Sequence, residues 1–224
     1  PKPVTITPVP ASPAATAAAC MQHCVLYFSF DKEDFVQEGD QTIIRDHSVQ
    51  KNDGVVKNAE PAEGKVKGGV RIDGNDHHID VQDNPSLNPP SLTASAWVNP
   101  RTLHGGWNGD NIISKDNWNP ARGYVLRLAE SGKTDFTIGW DGWSSVVDQT
   151  RHKTNEWTHV AAVYETSQLR LYINGVERKT AVPKAPLKPS KFKLRIGRGT
   201  LDANRRFHGL FDEVAIFAAP LTSA

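Results

Sequence analysis

The sequence predicts an all-β protein, folded as an antiparallel sandwich of two sheets with little helix. Short stretches along the chain alternate apolar and polar residues, which is typical of strands with one buried face. The 224 residues include 17 Gly and 15 Pro, and these turn-forming residues separate the alternating stretches throughout. No long amphipathic helix pattern is present. Many short strands joined by turns favour a sandwich or a barrel.

Ten stretches carry the strand pattern, and each is bounded by turn-forming residues. In chain order they cover residues 26–30, 70–72, 79–81, 92–98, 124–128, 136–138, 159–164, 169–173, 192–196 and 210–217. Asn174-Gly175 directly follows the eighth stretch and is a strong signal for a tight hairpin. One helical turn is expected near residues 84–87.

The chain divides into a linker and one folded domain. Residues 1–19 consist mainly of Pro, Ala, Thr, Val and Ser with a single charge, Lys2, so this segment cannot bury a core. It is interpreted as an inter-domain linker, which implies a neighbouring domain in a larger parent chain. Residues 20–224 are long enough to form one sandwich without disulfide bonds.

Charge and hydropathy exclude several partners. The formal net charge is +1, which gives no basis for binding nucleic acid or an anionic membrane. No apolar run approaches the roughly 18 residues of a membrane helix. Cys20 and Cys24 would lie about 13 Å apart in a strand, too far for a disulfide bond. A disulfide closed by a local turn and two free thiols both remain open.

Four segments together resemble the laminin-G-like, concanavalin A-like lectin/glucanase superfamily. They are residues 70–81, 92–100, 156–175 and 209–217, which contain Val-Arg-Ile-Asp-Gly, Thr-Ala-Ser-Ala-Trp-Val, Trp-Thr-His-Val with Tyr-Ile-Asn-Gly, and Leu-Phe-Asp-Glu-Val-Ala. The resemblance extends over residues 26–221. It implies a jelly roll of the concanavalin A-like kind, with ligands bound on a concave face or at a loop rim.

The resemblance also implies a structural calcium ion. Asp31 and Asp212 stand where the family places ligands, near the first and last strands, and the chain around Asp73 would complete the site with backbone carbonyls. Calcium takes six to eight oxygen ligands, so carboxylates and carbonyls are suitable donors. The alternative is that Asp31 caps a turn and Asp212 forms a salt bridge.

Tryptophans in polar stretches are the candidate ligand-binding residues. A flat indole ring offers an apolar surface to the C–H face of a sugar. Trp97 and Trp157 lie in segments that carry the family resemblance, whereas the other four lie among Gly, Asn and Asp in predicted loops. The alternative is that these four rings plug the ends of the sandwich. They are Trp107, Trp118, Trp140 and Trp143.

Polar residues in the same stretches are the candidate hydrogen-bonding partners of a sugar. Asp110, Arg122 and Asp141 can bind hydroxyl groups, and an arginine can also pair with an acidic sugar. The alternative for each is an ordinary solvated loop residue. Basic residues also accumulate in the last third of the chain, where they either protect an exposed sheet edge or bind sulfated or uronic glycans. They are Lys184, Lys188, Lys191, Lys193, Arg195, Arg198, Arg205 and Arg206.

Catalytic patterns are missing from the sequence. A retaining glycosidase needs two carboxylates about 5–5.5 Å apart, and the Glu-x-Asp-x-x-Glu motif of the superfamily's glucanases is not present. The sequence therefore predicts a non-enzymatic carbohydrate-binding module of a secreted, surface or periplasmic protein, which binds a polysaccharide or another glycan. A protein-interaction domain and a structural spacer are the alternatives.

Overall fold

The computed structural model describes residues 20–104, 109–130, 132–202 and 204–221. Strands make up 56% and helical turns 4% of the structure, which confirms the predicted all-β class. The predicted linker, residues 1–19, and Trp107 lie outside the described residues. Within the described ranges, no helix combines the length and apolar character needed to cross a bilayer.

The described residues form 17 strands and two short 3₁₀ turns, Lys32–Asp34 and Pro85–Leu87. The strands, numbered in chain order, are β1 (Cys24–Phe28), β2 (Phe35–Glu38), β3 (Gln41–Ile44), β4 (Gly54–Lys57), β5 (Glu60–Glu63), β6 (Gly68–Asp73), β7 (His78–Val81), β8 (Leu92–Pro100), β9 (Asp110–Trp118), β10 (Ala121–Ala129), β11 (Lys133–Trp140), β12 (Trp143–Arg151), β13 (Thr158–Glu165), β14 (Gln168–Ile173), β15 (Val176–Ala181), β16 (Leu194–Ile196) and β17 (His208–Phe217).

Two antiparallel sheets enclose one apolar core. The nine-stranded sheet has the order β12-β11-β10-β9-β16-β7-β4-β3-β2, and the eight-stranded sheet has the order β15-β14-β13-β8-β17-β6-β5, with β1 also paired to β17. Alternate residues of each strand point inward. Leu126, Phe136 and Val146 are opposed on β10, β11 and β12 and are fully or almost fully buried. Their neighbours one position along each strand therefore face away from the core.

The structure confirms two turns that the sequence predicted and moves the start of one predicted strand. The Asn174-Gly175 turn joins β14 to β15 with φ values of +50° and +77°, as the two-residue hairpin requires. The 3₁₀ turn at Pro85–Leu87 confirms the expected helical turn, and the side chain of Asn84 accepts a hydrogen bond from the Ser86 amide. Phe192 lies outside β16 and is exposed, so the ninth predicted strand begins later than expected.

The first and last strands hold the two ends of the described chain together. Cys24 of β1 lies opposite Phe217 of β17, and the amide of Ala218 donates to the carbonyl of His23 at 2.8 Å. Cys20 and Cys24 are free thiols in this structure. Burial raises the pKa of Cys24 to about 11, so this thiol stays protonated and unreactive near neutral pH.

Candidate functional site

The candidate site lies on the outward face of β9–β12, the part of the nine-stranded sheet farthest from β2. Strand pairing aligns three rows of outward residues across these strands. Asp116, Gly123, Gly139 and Trp143 form the first row, Ser114, Val125, Thr137 and Ser145 the second, and Asn111, Arg127, Asp135 and Val147 the third.

Two tryptophans meet above this face. Trp118 is the last residue of β9 and Trp143 the first of β12, and their ring centroids are 5.8 Å apart with an interplanar angle of 66°. The two central positions of the first row are Gly123 and Gly139, so no side chain stands between Trp143 and β9. Each ring therefore belongs to a strand end, which corrects the prediction that both lie in polar loops.

A buried ion pair forms one end of the site. Both Nε and Nη2 of Arg127 donate to Oδ2 of Asp135, at 2.9 and 2.6 Å, and the Thr137 hydroxyl donates to the other carboxylate oxygen at 2.9 Å. Arg127 and Asp135 face each other on adjacent strands, so the sheet itself sets this geometry. The shared Oδ2 acceptor neutralises Arg127 and fixes its guanidinium plane.

The loop before β17 adds a second guanidinium group. The Arg205 guanidinium lies 3.9 Å from the ring centroid of Trp118, a cation–π contact. Thr200 anchors this loop to β9, because its amide donates to the Ser114 hydroxyl at 3.1 Å. Burial lowers the pKa of Arg205, and the nearby charge of Arg127 lowers it further. Asp202 accepts from Arg205 Nε at 3.3 Å.

The rings and charged groups enclose a cavity of about 330 Å³. Asp116 opens onto it and is almost fully buried, with one carboxylate oxygen accepting from the Ser114 hydroxyl at 2.5 Å. The cavity thus combines aromatic rings, a carboxylate acceptor and guanidinium donors, which is the set a sugar's C–H face and hydroxyl groups require. Its lining residues are Asp116, Trp118, Val125, Arg127, Thr137, Trp143, Ser145 and Arg205.

Trp140 is separated from this site. It shares the inward side of β11 with Ile138, and its indole Nε1 donates to the Ser144 hydroxyl at 3.0 Å. A side chain on Gly142 would fall 2.7 Å from Cζ2 of Trp140, so the ring covers the turn between β11 and β12. Trp140 therefore ends a strand and packs over a turn, in agreement with the alternative that tryptophans plug the sandwich ends.

Arg122 and Asp141 lie together at the rim of the sandwich, away from the cavity. Arg122 Nε donates to Asp141 at 3.1 Å, and Lys188 also pairs with this carboxylate. The hydrogen bond from Lys188 holds the pKa of Asp141 below its usual range. These side chains are about two-fifths to one-half exposed. Arg122 instead lines a separate open groove of about 740 Å³, together with Asn117 and Phe192.

Asp110 has a structural environment. It is fully buried, and its carboxylate accepts from the His104 amide at 3.0 Å and from the His104 ring. Burial raises the pKa of Asp110. The residue therefore holds the start of β9 against the preceding loop and presents no free oxygen to a ligand at the tryptophan pair.

Asp31 and Asp212 converge on the loop between β5 and β6. Asp31 accepts from the Gly68 amide at 3.0 Å, and Asp212 accepts from the Val66 amide at 2.7 Å. Asp212 is fully buried, and its Oδ1 has no hydrogen-bond partner among the described residues. Burial raises the pKa of Asp212 to about 6, whereas the Gly68 hydrogen bond lowers that of Asp31.

The structure does not bring Asp73 to this pair. Asp73 ends β6, whereas Gly68, the partner of Asp31, begins it, and a strand of this length separates them by about 16 Å. Hydrogen bonds from Asn75 lower the pKa of Asp73 against the opposing effect of burial. Within the described ranges, no group of three or more His, Cys, Asp or Glu side chains is arranged to hold a metal.

Sequence reasoning missed five residues that line the cavity, because all of them lie on strands and none lies in the predicted polar loops. They are Asp116, Val125, Arg127, Thr137 and Ser145. Arg205 was predicted only as one of the basic residues that either protect a sheet edge or bind an acidic glycan. Period-2 spacing was the available signal for one of them, since Asp116 and Trp118 are two residues apart and must share a face of β9. No local signal places Arg205 beside Trp118.

Comparisons with known proteins agree with this architecture. A model of the concanavalin A-like lectin/glucanases superfamily matches residues 73–224. No curated protein matches the chain. Among solved structures, domain 4 of AbnA, a GH43 extracellular arabinanase from Geobacillus stearothermophilus solved with arabinotriose, is 21% identical with a TM-score of 0.71, and the match covers 89% of this chain and 94% of that domain.

Toxin domains share the same fold. The binding domain of botulinum neurotoxin DC is similar both in its complex with SialylT, at 14% identity and a TM-score of 0.63, and in its complex with rat synaptotagmin II, at 16% and 0.68. Each match covers 91% of this chain, which spans about half of the toxin domain, 49% and 50% respectively. At these identities the likeness shows a common fold.

Proposed function

The chain belongs to the concanavalin A-like lectin/glucanases superfamily, and from that premise we propose that it is a carbohydrate-binding module of a larger extracytoplasmic protein. The observation that carries the proposal is the cavity beneath Trp118 and Trp143, where two rings lie beside Asp116 and Arg127. A sugar would pack its C–H face on an indole, and its hydroxyl groups would donate to Asp116 and accept from the guanidinium groups.

The comparisons support this proposal without identifying the glycan. Similar domains are described in complex with arabinotriose and with SialylT, and one of them belongs to an extracellular enzyme. Arabinotriose is therefore a suitable first probe. The absence of catalysis stays a prediction, as does the extracellular, surface or periplasmic location.

The test compares matched tryptophan variants on the two faces of the sandwich. Affinity electrophoresis in soluble polysaccharides and tryptophan fluorescence titration with arabinotriose would measure binding by the wild type, Trp143→Ala and Trp97→Ala. Trp143→Ala should weaken binding about 30-fold, the loss typical of a central aromatic contact. Trp97 lies on the eight-stranded sheet, and its variant should bind within about twofold of the wild type.

Two outcomes would contradict the proposal. One is the absence of binding to every glycan on a broad array. The other is equal loss in both variants, which would show that Trp143→Ala acts through stability. Capture of a single protein partner that tolerates Trp143→Ala but competes with no sugar would favour the protein-interaction alternative. The toxin domain described in complex with rat synaptotagmin II is a precedent for it.

A structural calcium ion is a second part of the proposal. Asp31 and Asp212 would hold it, since both carboxylates meet the loop between β5 and β6 and the buried Oδ1 of Asp212 lacks a partner among the described residues. A bound cation supplies charge compensation and a link between chain segments. Addition of calcium to protein treated with a chelator should raise the melting temperature of the wild type and leave Asp212→Asn unchanged.

A further inference from the structure

The shape of the cavity restricts which part of a glycan it can accept, provided that the proposed function is correct. The rings of Trp118 and Trp143 are inclined by 66°, so they form a corner. A polysaccharide chain that lies across a surface needs ring faces in a common plane. In a corner, only one ring can contact the face of a given sugar residue, and the second ring closes the space beside it.

The polar groups lie below the rings. Asp116 and Arg127 are 2% and 8% exposed, and Val125 and Thr137 form the floor beside them. A sugar residue in a chain that passes over the rim cannot reach these groups, because the linkages on both sides hold it at the surface. A residue at a chain end can enter, since it is attached on one side only.

The volume also limits the occupant. The cavity encloses about 330 Å³, which is near the lower limit of about 300 Å³ for clefts that bind small molecules. This space accommodates one or two sugar rings. A longer oligosaccharide would place its remaining units outside the cavity, beyond the Trp118–Trp143 pair.

Charge pairing favours an uncharged sugar. Asp135 neutralises Arg127, Asp202 accepts from Arg205, and Asp116 leaves a further carboxylate at the cavity. Four further basic residues of the last third of the chain are paired outside the cavity, since Lys188 contacts Asp141, Lys193 and Arg195 contact Asp80, and Arg198 contacts Asp76. An acidic sugar in the cavity would face the Asp116 carboxylate without an unpaired cation to offset the repulsion.

We propose that the cavity beneath Trp118 and Trp143 binds the one or two uncharged sugar residues at the end of a glycan chain. The corner of the rings and the depth of Asp116 and Arg127 carry this inference. It deepens the proposed function, because a module of this kind would recognise chain ends, such as those that hydrolysis creates, and not the uninterrupted interior of a polymer.

The first test measures affinity against chain length. Calorimetric titration would use arabinose, xylose, galactose and glucose with their oligosaccharides of about two to six units, and galacturonic acid oligomers as charged counterparts of the galactose series. Affinity should change less than about threefold beyond the disaccharide. A rise of about tenfold or more from two to six units, or tighter binding of the galacturonic acid series, would overturn the inference and leave the carbohydrate-binding proposal intact.

The second test fills the cavity. Ser145 lines the cavity and is exposed to solvent. Ser145→Phe therefore places a ring in the cavity without disturbing the core. Ser145→Thr is the matched control. Ser145→Phe should lose at least about tenfold in affinity at an unchanged melting temperature. Unchanged or tighter binding would show an open aromatic platform and overturn the inference. Lack of binding by the wild type to every sugar would instead remove the proposed function itself.

Discussion

The outward faces of the two sheets carry similar aromatic clusters with different surroundings. On the eight-stranded sheet, Trp97 packs against His159 at 5.4 Å and Lys65 lies 5.1 Å from its ring centroid. On the nine-stranded sheet, Trp118 packs against Trp143 and the Arg205 guanidinium lies 3.9 Å from its ring. An aromatic pair with a cation is therefore common to both faces and does not by itself distinguish a ligand site.

Neighbouring polar groups make the difference. The cavity beside His159 measures about 200 Å³ and is lined largely by small and apolar side chains, including Ala161, Val163 and Tyr172. The cavity beside Trp118 contains a carboxylate and two guanidinium groups. Sugars need hydrogen bonds as well as an aromatic surface, and among the described residues the cavity beside Trp118 adds a carboxylate and guanidinium groups to its rings, whereas the cavity beside His159 has neither.

The two faces also differ in how a buried aspartate is compensated. Asp135 is paired with Arg127, whereas Asp212 on the eight-stranded sheet keeps one oxygen without a partner among the described residues. The pKa of Asp212 is accordingly raised to about 6 by burial. One face is therefore organised by an ion pair within the protein, and the other leaves a carboxylate that protonation or a cation can neutralise.

The largest expected effect follows from breaking the ion pair. Arg127→Met should lower the free energy of unfolding by about 3 kcal/mol, because Asp135 would remain buried without its cation. Adding Asp135→Asn should recover part of this loss. Urea denaturation of the single and double variants measures both values. A loss below about 1 kcal/mol for Arg127→Met would show that solvent already screens the pair.

The next effect concerns pH dependence on the other face. Because the pKa of Asp212 is raised to about 6 from 3.8, folding favours its protonated form, and its contribution to stability is fully present below about pH 4 and is lost as pH rises through 6. The loss should approach about 3 kcal/mol. Unfolding measured with a chelator present, for the wild type and Asp212→Asn, isolates this contribution. Parallel profiles for the two proteins would contradict it.

A smaller effect concerns glycan binding and compares Asp116 with Asp141. Asp116 lines the cavity and Asp141 lies in the exposed rim cluster. Asp116→Ala should weaken binding of the glycan found in the array about tenfold, the effect of losing a hydrogen bond to a charged acceptor. Asp141→Ala should stay within about twofold. The reverse order in calorimetric titration would move the site to the rim, which contains two of the predicted ligand-binding residues, Arg122 and Asp141.

The smallest effect tests the cation near Trp97. Lys65→Ala should lower the free energy of unfolding by about 0.5 kcal/mol, as expected for an exposed cation–π contact. Glycan binding should not change. Urea denaturation and the arabinotriose titration check the two statements, and altered sugar affinity would show that the eight-stranded face takes part in recognition.

Alternation and turn signals predicted the sandwich because each strand with a regular apolar face reports its own burial. They missed β2, β3, β4, β5, β9, β12 and β15. In β9 and β12 polar residues stand on both faces, so Trp118 and Trp143 were placed in loops. Trp140 lies on the inward side of the sheet and Trp143 on its outward side, because the turn between β11 and β12 sets how the two strands pair. Arg205 meets Trp118 through tertiary packing alone.

The pairing of β1 with β17 has a mechanical consequence. Cys24 faces Phe217 and Phe28 faces Val214. Tension applied at the two ends of the described chain would therefore separate β1 from β17 one residue pair at a time, from Cys24 toward Phe28. Asp31 and Asp212 lie just beyond the last of these pairs. A cation held between them would resist the separation of the two strands, and force spectroscopy would then record a higher rupture force with calcium than without it.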